Sequence, residues 1–162
     1  MTTHQAIYSN MDITDMVMKS YLKDLSDADL MTRPGPNCNH LAWQLGHLIN
    51  SEQGLMNQLI PGSGMALPEG FGDKHSKTQT GNDDPKSFYS KQEYVELYKK
   101  SRENVKAALA KMTEADLDKP SPKGWEMFPT VGAIVNLIAT HGMMHAGQFA
   151  VVRRILGKPV VI

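Results

Sequence analysis

The stretch VGAIVNLIATHGMMHAGQFAVVRRI, residues 131–155, decides the fold. Val131, Ile134, Ile138, His141, His145, Gln148, Val152 and Ile155 recur at spacings of three and four, the seam of a helix packed against partners. Thr130 is placed to cap its start, and Gly157 followed by Pro159 ends it. A stripe this long needs other helices to cover it. Upstream, Ser90 and Glu93 make a capping box that opens a helix burying Tyr94, Tyr98, Val105, Leu109 and Met112. From about Asn39 to Leu59, one stripe carries Leu41, Leu45, Leu48, Leu55 and Leu59. The first helix is expected from about Asn10 to Leu25, with Ile13, Met16, Val17, Tyr21 and Leu25 facing inward. No segment alternates as a strand does. The pattern predicts an all-α four-helix bundle, one domain over residues 1–162.

Composition narrows the function. Seventeen basic and seventeen acidic side chains cancel, which argues against a polyanion-binding surface. The longest apolar run, Val131 to Ala139, contains Asn136 and falls far short of the ~20 residues that cross a bilayer. The N-terminal residues lack the basic-then-apolar pattern of a secretory leader. The single cysteine, Cys38, excludes an internal disulfide framework and suits a reducing cytoplasm. Membrane, secreted and nucleic-acid classes are set aside on these grounds.

The connections are unequal. About thirty residues, Pro61 to Tyr89, are rich in Gly, Pro, Ser, Asn and Asp. A loop that long in a compact domain is a functional cover or a disordered stretch. The loop carrying Trp125, Met127 and Phe128 among prolines is expected to pack over one end of the bundle. LSDADL at residues 25–30 recurs as MTEADL at residues 112–117, and in each a Ser or Thr stands three residues before an Asp, able to cap a short turn. Two helix–turn–helix halves related by a pseudo-twofold explain the repeat, with chance as the rival for six residues.

Of six histidines, His141 and His145 stand out. Positions i and i+4 on a helix lie one above the other, so two imidazoles can converge on one metal ion. No Glu follows the first, so the metalloprotease base is missing. The pair occupies consecutive seam positions, where two imidazoles need partners that a metal would supply. The competing reading is a hydrogen-bonded core pair, or a seam facing a polar cavity. A third ligand must come from another helix, and His47 and His40 are on offer. On a helical wheel, His40, Gln44, His47 and Ser51 share a polar face turned away from the leucine stripe, which reads as solvent-exposed unless that face lines a cleft. Glu52 falls within the stripe, partly buried or at its edge, from where it can orient a ligand histidine.

The stretch NHLAWQLGHLINSE at residues 39–52, together with HGMMHAGQ at residues 141–148, resembles the DinB-like (damage-inducible) metalloprotein superfamily. The likeness runs in order through nearly the whole chain, including the long second-to-third crossover. It implies a four-helix bundle holding a metal through three histidines, here His47, His141 and His145, with the polar face of the second helix turned inward. Many members bind nickel or zinc, and many are homodimers. Relatives include bacillithiol S-transferases and a mycothiol-dependent maleylpyruvate isomerase. Some relatives carry a further His where this chain has Asn136, which is therefore no ligand candidate.

The chemistry expected is that of a metal-dependent enzyme on a small molecule, of the thiol S-transferase or hydrolase type. The alternatives are a non-catalytic metal-binding or scaffold bundle, and a bundle with no metal. Ser51, Gln44 and Trp125 are candidates to line the pocket, though each has a simple structural role available. Cys38, near the start of the second helix, is a possible nucleophile against the plainer reading of a packed, inert thiol. Homodimerisation is expected through long helices with the apolar run Val151, Val152 and Ile155 contributing.

Overall fold

The computed structural model describes residues 1–160 and 162. Four long helices carry it: α1 (Thr3–Leu22), α3 (Leu41–Leu59), α5 (Lys91–Leu109) and α7 (Val131–Ile155). Three short ones, α2 (Asp27–Leu30), α4 (Phe71–Lys74) and α6 (Glu114–Leu117), sit in the connections, and no strand occurs among the described residues. Both copies of the repeat form the short turns expected of them. Ser26 caps α2 with Asp29, and Thr113 caps α6 with Asp116, each through a reciprocal capping box.

The first helix begins seven residues earlier than its pattern suggests. Thr2 and Gln5 form a capping box that starts it at Thr3. That start sets the phase: Ile7, Met11, Thr14, Val17, Met18, Tyr21 and Leu22 are buried. Ile13 and Met16, expected inside, are 48% and 53% exposed. The leucine stripe of α3 behaves as read, with Leu41, Leu45, Leu48 and Leu55 all buried.

Contacts fix the helix directions. Asn10 meets Asn136 on α7 while the Tyr21 carbonyl meets Arg153, so α1 and α7 run parallel. Gln44 meets Gln148 at one end of α3 and Gln58 meets Trp125 just before α7, so that pair is antiparallel. On α5, Tyr94 lies level with Gly46 and Ser101 level with Glu52, so α3 and α5 are parallel. Parallel neighbours need a return path. Nineteen residues of α3 span about 28 Å at 1.5 Å per residue, and residues 60–90 supply that path. The crossover is packed down along the bundle: Phe71 and His75 are buried, and Arg33 holds the Thr80 carbonyl and Asp83. The loop before α7 packs over the other end, with Trp125 and Phe128 against the core cluster of Leu109, Leu117 and Ile134.

A charged group sits where the four long helices meet. Arg102 of α5, 3% exposed, donates to Asp15 on α1, Glu52 on α3, and the Ile138 and Ala139 carbonyls on α7. Burial pushes the Glu52 carboxyl up, against the pull of Arg102 and of the Ser101 hydroxyl that donates to it.

Candidate metal centre

His47 projects from the middle of α3, and His141 and His145 project from successive turns of α7 towards it. One nitrogen from each lies within 4.8 Å of the others. Ring centroids stand 5.3 Å apart for His47 and His141, 5.6 Å for His47 and His145, and 5.1 Å for His141 and His145. Imidazole nitrogens bound to one ion at about 2.1 Å stand no more than about 4.2 Å apart, so small side-chain rotations gather these three. The donor set fits a transition ion.

The helices are locally built for this. Gly142 faces α1 and α5, where a Cβ would come 2.8 Å from Thr14 Cγ2 on α1 and 3.0 Å from the Tyr98 hydroxyl on α5. The missing side chain lets α7 close on α1, and His141 and His145 then face α3. All three rings are half-buried. Burial is the chief cause holding each below the usual imidazole range, to about 4 for His141 and His145, with neighbouring His47 adding to both. The rings are therefore neutral at pH 7, the state that offers a lone pair.

Hydrogen bonding fixes one tautomer outright. The Gln44 amide nitrogen donates to the Asn39 carbonyl at 2.6 Å and to Gln148 Oε1 at 2.9 Å. Gln44 Oε1 must therefore face His145, whose Nδ1–H donates to it at 2.8 Å, leaving Nε2 free. Ser51 Oγ lies 3.5 Å from His47 Nδ1, too long to hold that ring firmly. The Trp43 indole stacks on His47 instead, with centroids 5.0 Å apart and planes 8° from parallel.

The comparisons agree with this architecture. A family model described as DinB superfamily matches residues 11–149. The chain belongs to the DinB superfamily. A solved structure, the conserved protein of locus from Enterococcus faecalis, superposes with a TM-score of 0.78 at 20% identity, covering 98% of this chain and 99% of that one. That likeness is one of fold. No curated protein matches this DinB chain in sequence. Among the described residues no helix is long and apolar enough to cross a membrane.

Other candidates lie elsewhere. His40 is fully buried, but its Nδ1 accepts the Trp43 N–H to cap α3 and its Nε2–H donates to the Asn82 carbonyl. Both ring nitrogens are thus engaged away from the cluster. Glu52 does not support a ligand histidine; it points into the core to Arg102 and Ser101, because the leucine stripe on which it lies faces inward. Trp125 donates to Gln58 at the far end of α3 and packs on Phe128, so it does not line the centre. Cys38 is partly buried in the turn before α3, its carbonyl held by Arg33. Asn136 accepts from Asn10 on the outer face. Trp43 is the residue the pattern overlooks; standing four positions before His47, it shares a helix face with it.

Proposed function

We propose that the protein is a metal-dependent enzyme acting on a small molecule, of the thiol S-transferase or hydrolase type. One divalent transition ion, nickel or zinc, is held by His47, His141 and His145. The convergence of three neutral imidazoles from two helices carries the reading. Its chemistry would be Lewis-acid lowering of the pKa of a small-molecule thiol or of water.

The residues of the chain do the positioning. Gln44 keeps the His145 proton on Nδ1 and so presents Nε2. Trp43 covers one face of His47 and keeps water from it. No carboxylate is among the three donors, so a dication keeps its full charge and favours an anionic partner such as a thiolate. The test is metal analysis of natively purified protein, followed by a screen of low-molecular-weight thiols with a generic electrophile. Stoichiometric metal with metal-dependent thiol consumption is expected. Metal without turnover would favour a binding or scaffold bundle, and no metal would overturn both.

The reading includes a homodimer. Ile13 and Met16 on α1, and Met143 and Val151 on the adjoining α7, are each more than a third exposed, a face suited to a second copy. Val152, expected to contribute, is instead fully buried in the core of its own chain.

A further inference from the structure

The crossover and the candidate metal centre meet at one point. Trp43 is 5% exposed, and its indole N–H donates to the Ser76 carbonyl at 3.1 Å. The residue before Ser76 is His75, 2% exposed and fixed at both ring nitrogens. Its Nδ1–H donates to the Phe71 carbonyl at 2.7 Å, and its Nε2 accepts the Tyr94 hydroxyl at 2.7 Å. The His75 ring fills the notch left by Gly46; a Cβ at that position would overlap it. Gly46 immediately precedes His47.

We propose that the crossover sets the orientation of His47, with Trp43 and His75 as positioning residues for the three-histidine centre. The inference rests on the metal-binding reading above. His145 has Gln44 to hold it, whereas among the described residues the polar neighbour of the His47 ring is a hydroxyl at 3.5 Å. A half-buried histidine on a helix otherwise samples several rotamers. The stacked indole restricts them, and the indole is itself tethered to the crossover through Ser76. His75 wedges the same segment against α3 one residue from the ligand. Orientation that a hydrogen bond provides at His145 is provided at His47 by a wall, and the crossover holds the wall.

The test uses Ni(II) with the full chain carrying Trp125→Phe, which leaves Trp43 as the one tryptophan of the original two. Ni(II) binding quenches Trp43 fluorescence if the ion lies beside the stacked pair, and chelator competition yields the dissociation constant. Trp43→Leu and Gly46→Ala, read by competition alone or by fluorescence where the indole remains, are expected to weaken Ni(II) binding about 10- to 100-fold. Trp43→Phe keeps a flat ring against His47 but loses the tether to the Ser76 carbonyl, and recovers part of that loss. A merely structural role would lower the melting temperature without this split between Leu and Phe. By reciprocity of linkage, Ni(II) also slows trypsin cleavage after Lys74 and Lys77, the exposed lysines flanking His75 and Ser76. Gly46→Ala favours helix α3 itself, so a loss there reports on the wedge. If Gly46→Ala fails to fold, the Trp43 pair decides. Unchanged affinity in the folded variants, with normal Ni(II) binding by the parent, overturns this inference alone. No Ni(II) binding by the parent overturns the metal reading and this inference together.

Discussion

Arg102→Met tests how the bundle holds its register. The guanidinium donates to Asp15 at 2.7 Å, Glu52 at 2.9 Å, the Ile138 carbonyl at 2.9 Å and the Ala139 carbonyl at 3.1 Å. The two carbonyls keep their helical partners when it is removed. The loss therefore centres on two charge-assisted bonds, about 1.5–3 kcal/mol each, which agrees with about 3–5 kcal/mol for breaking a buried ion pair. At about 2–4 °C per kcal/mol for a chain of this size, the melting temperature should fall by roughly 10 °C. Most of the cost is the stranded Glu52 carboxylate, fully buried. An Arg102→Met, Glu52→Leu double variant removes that charge, while Ser101 keeps the Gln53 amide as a partner and Asp15, 28% exposed, keeps water. Urea unfolding followed by circular dichroism should find the double variant more stable than the single by about 2 kcal/mol. Without Arg102 the Glu52 carboxyl is raised further. The single variant's deficit should then shrink as pH falls from 8 to 5, because between the raised folded value and the lower unfolded one the native state binds the extra proton and gains stability as pH falls. A deficit under about 1 kcal/mol, or a double variant no better than the single, refutes the reasoning.

Other outcomes follow from the same geometry. His4 faces two acceptors, Glu114 Oε1 at 2.7 Å and the Met112 carbonyl at 2.9 Å, so both its nitrogens donate and its pKa is raised, chiefly by Glu114. Its contribution is complete below pH 6.5 and lost as pH rises through the raised value; the melting gap between wild type and His4→Ala should be wider at pH 6 than at pH 9. In metal-free protein, burial depresses His141 and His145 to about 4, so the unfolded chain binds more protons between pH 6.5 and 4 and stability falls across that window. A His141→Leu, His145→Leu variant should lose less over the same interval, and an equal loss would mean the pair carries no burial cost. Light scattering should give twice the chain mass at micromolar concentration, and Met16→Lys with Met143→Lys should halve it; a monomeric wild type ends the homodimer proposal.

The residues differ in how much they declare beforehand. The last helix is legible from end to end, because Thr130 and Gly157 are local signals and its period is long. The start of α1 hides in Thr2 and Gln5, a weak box ahead of a polar stretch, so its phase is misjudged and Ile13 and Met16 are placed inside. The polar face of α3 is the deeper failure. His40 and Gln44 read as solvent-facing, yet they are 0% and 1% exposed. A wheel records which side of a helix is apolar, and it does not record that the crossover and α7 cover the opposite side. The convergence of His47 on the α7 pair thus depends on long-range packing, and the family resemblance anticipates it where periodicity does not.

The direction of the α7 histidines is set mostly by residues outside the three-histidine cluster. Gly142 lets α7 lie against Thr14 of α1, on the far side from α3. Arg102 grips the Ile138 and Ala139 carbonyls just before His141, fixing the rise of the helix along the bundle. Gln44 and Gln148 close the third side and fix its rotation. With translation, rise and rotation constrained by α1, α5 and α3 in turn, the pair has one way to face. An imidazole pair at i and i+4 is common chemistry on a helix. Its convergence on His47 depends on α7 being held in three directions, and those three contacts come from glycine, arginine and glutamine rather than from the apolar seam.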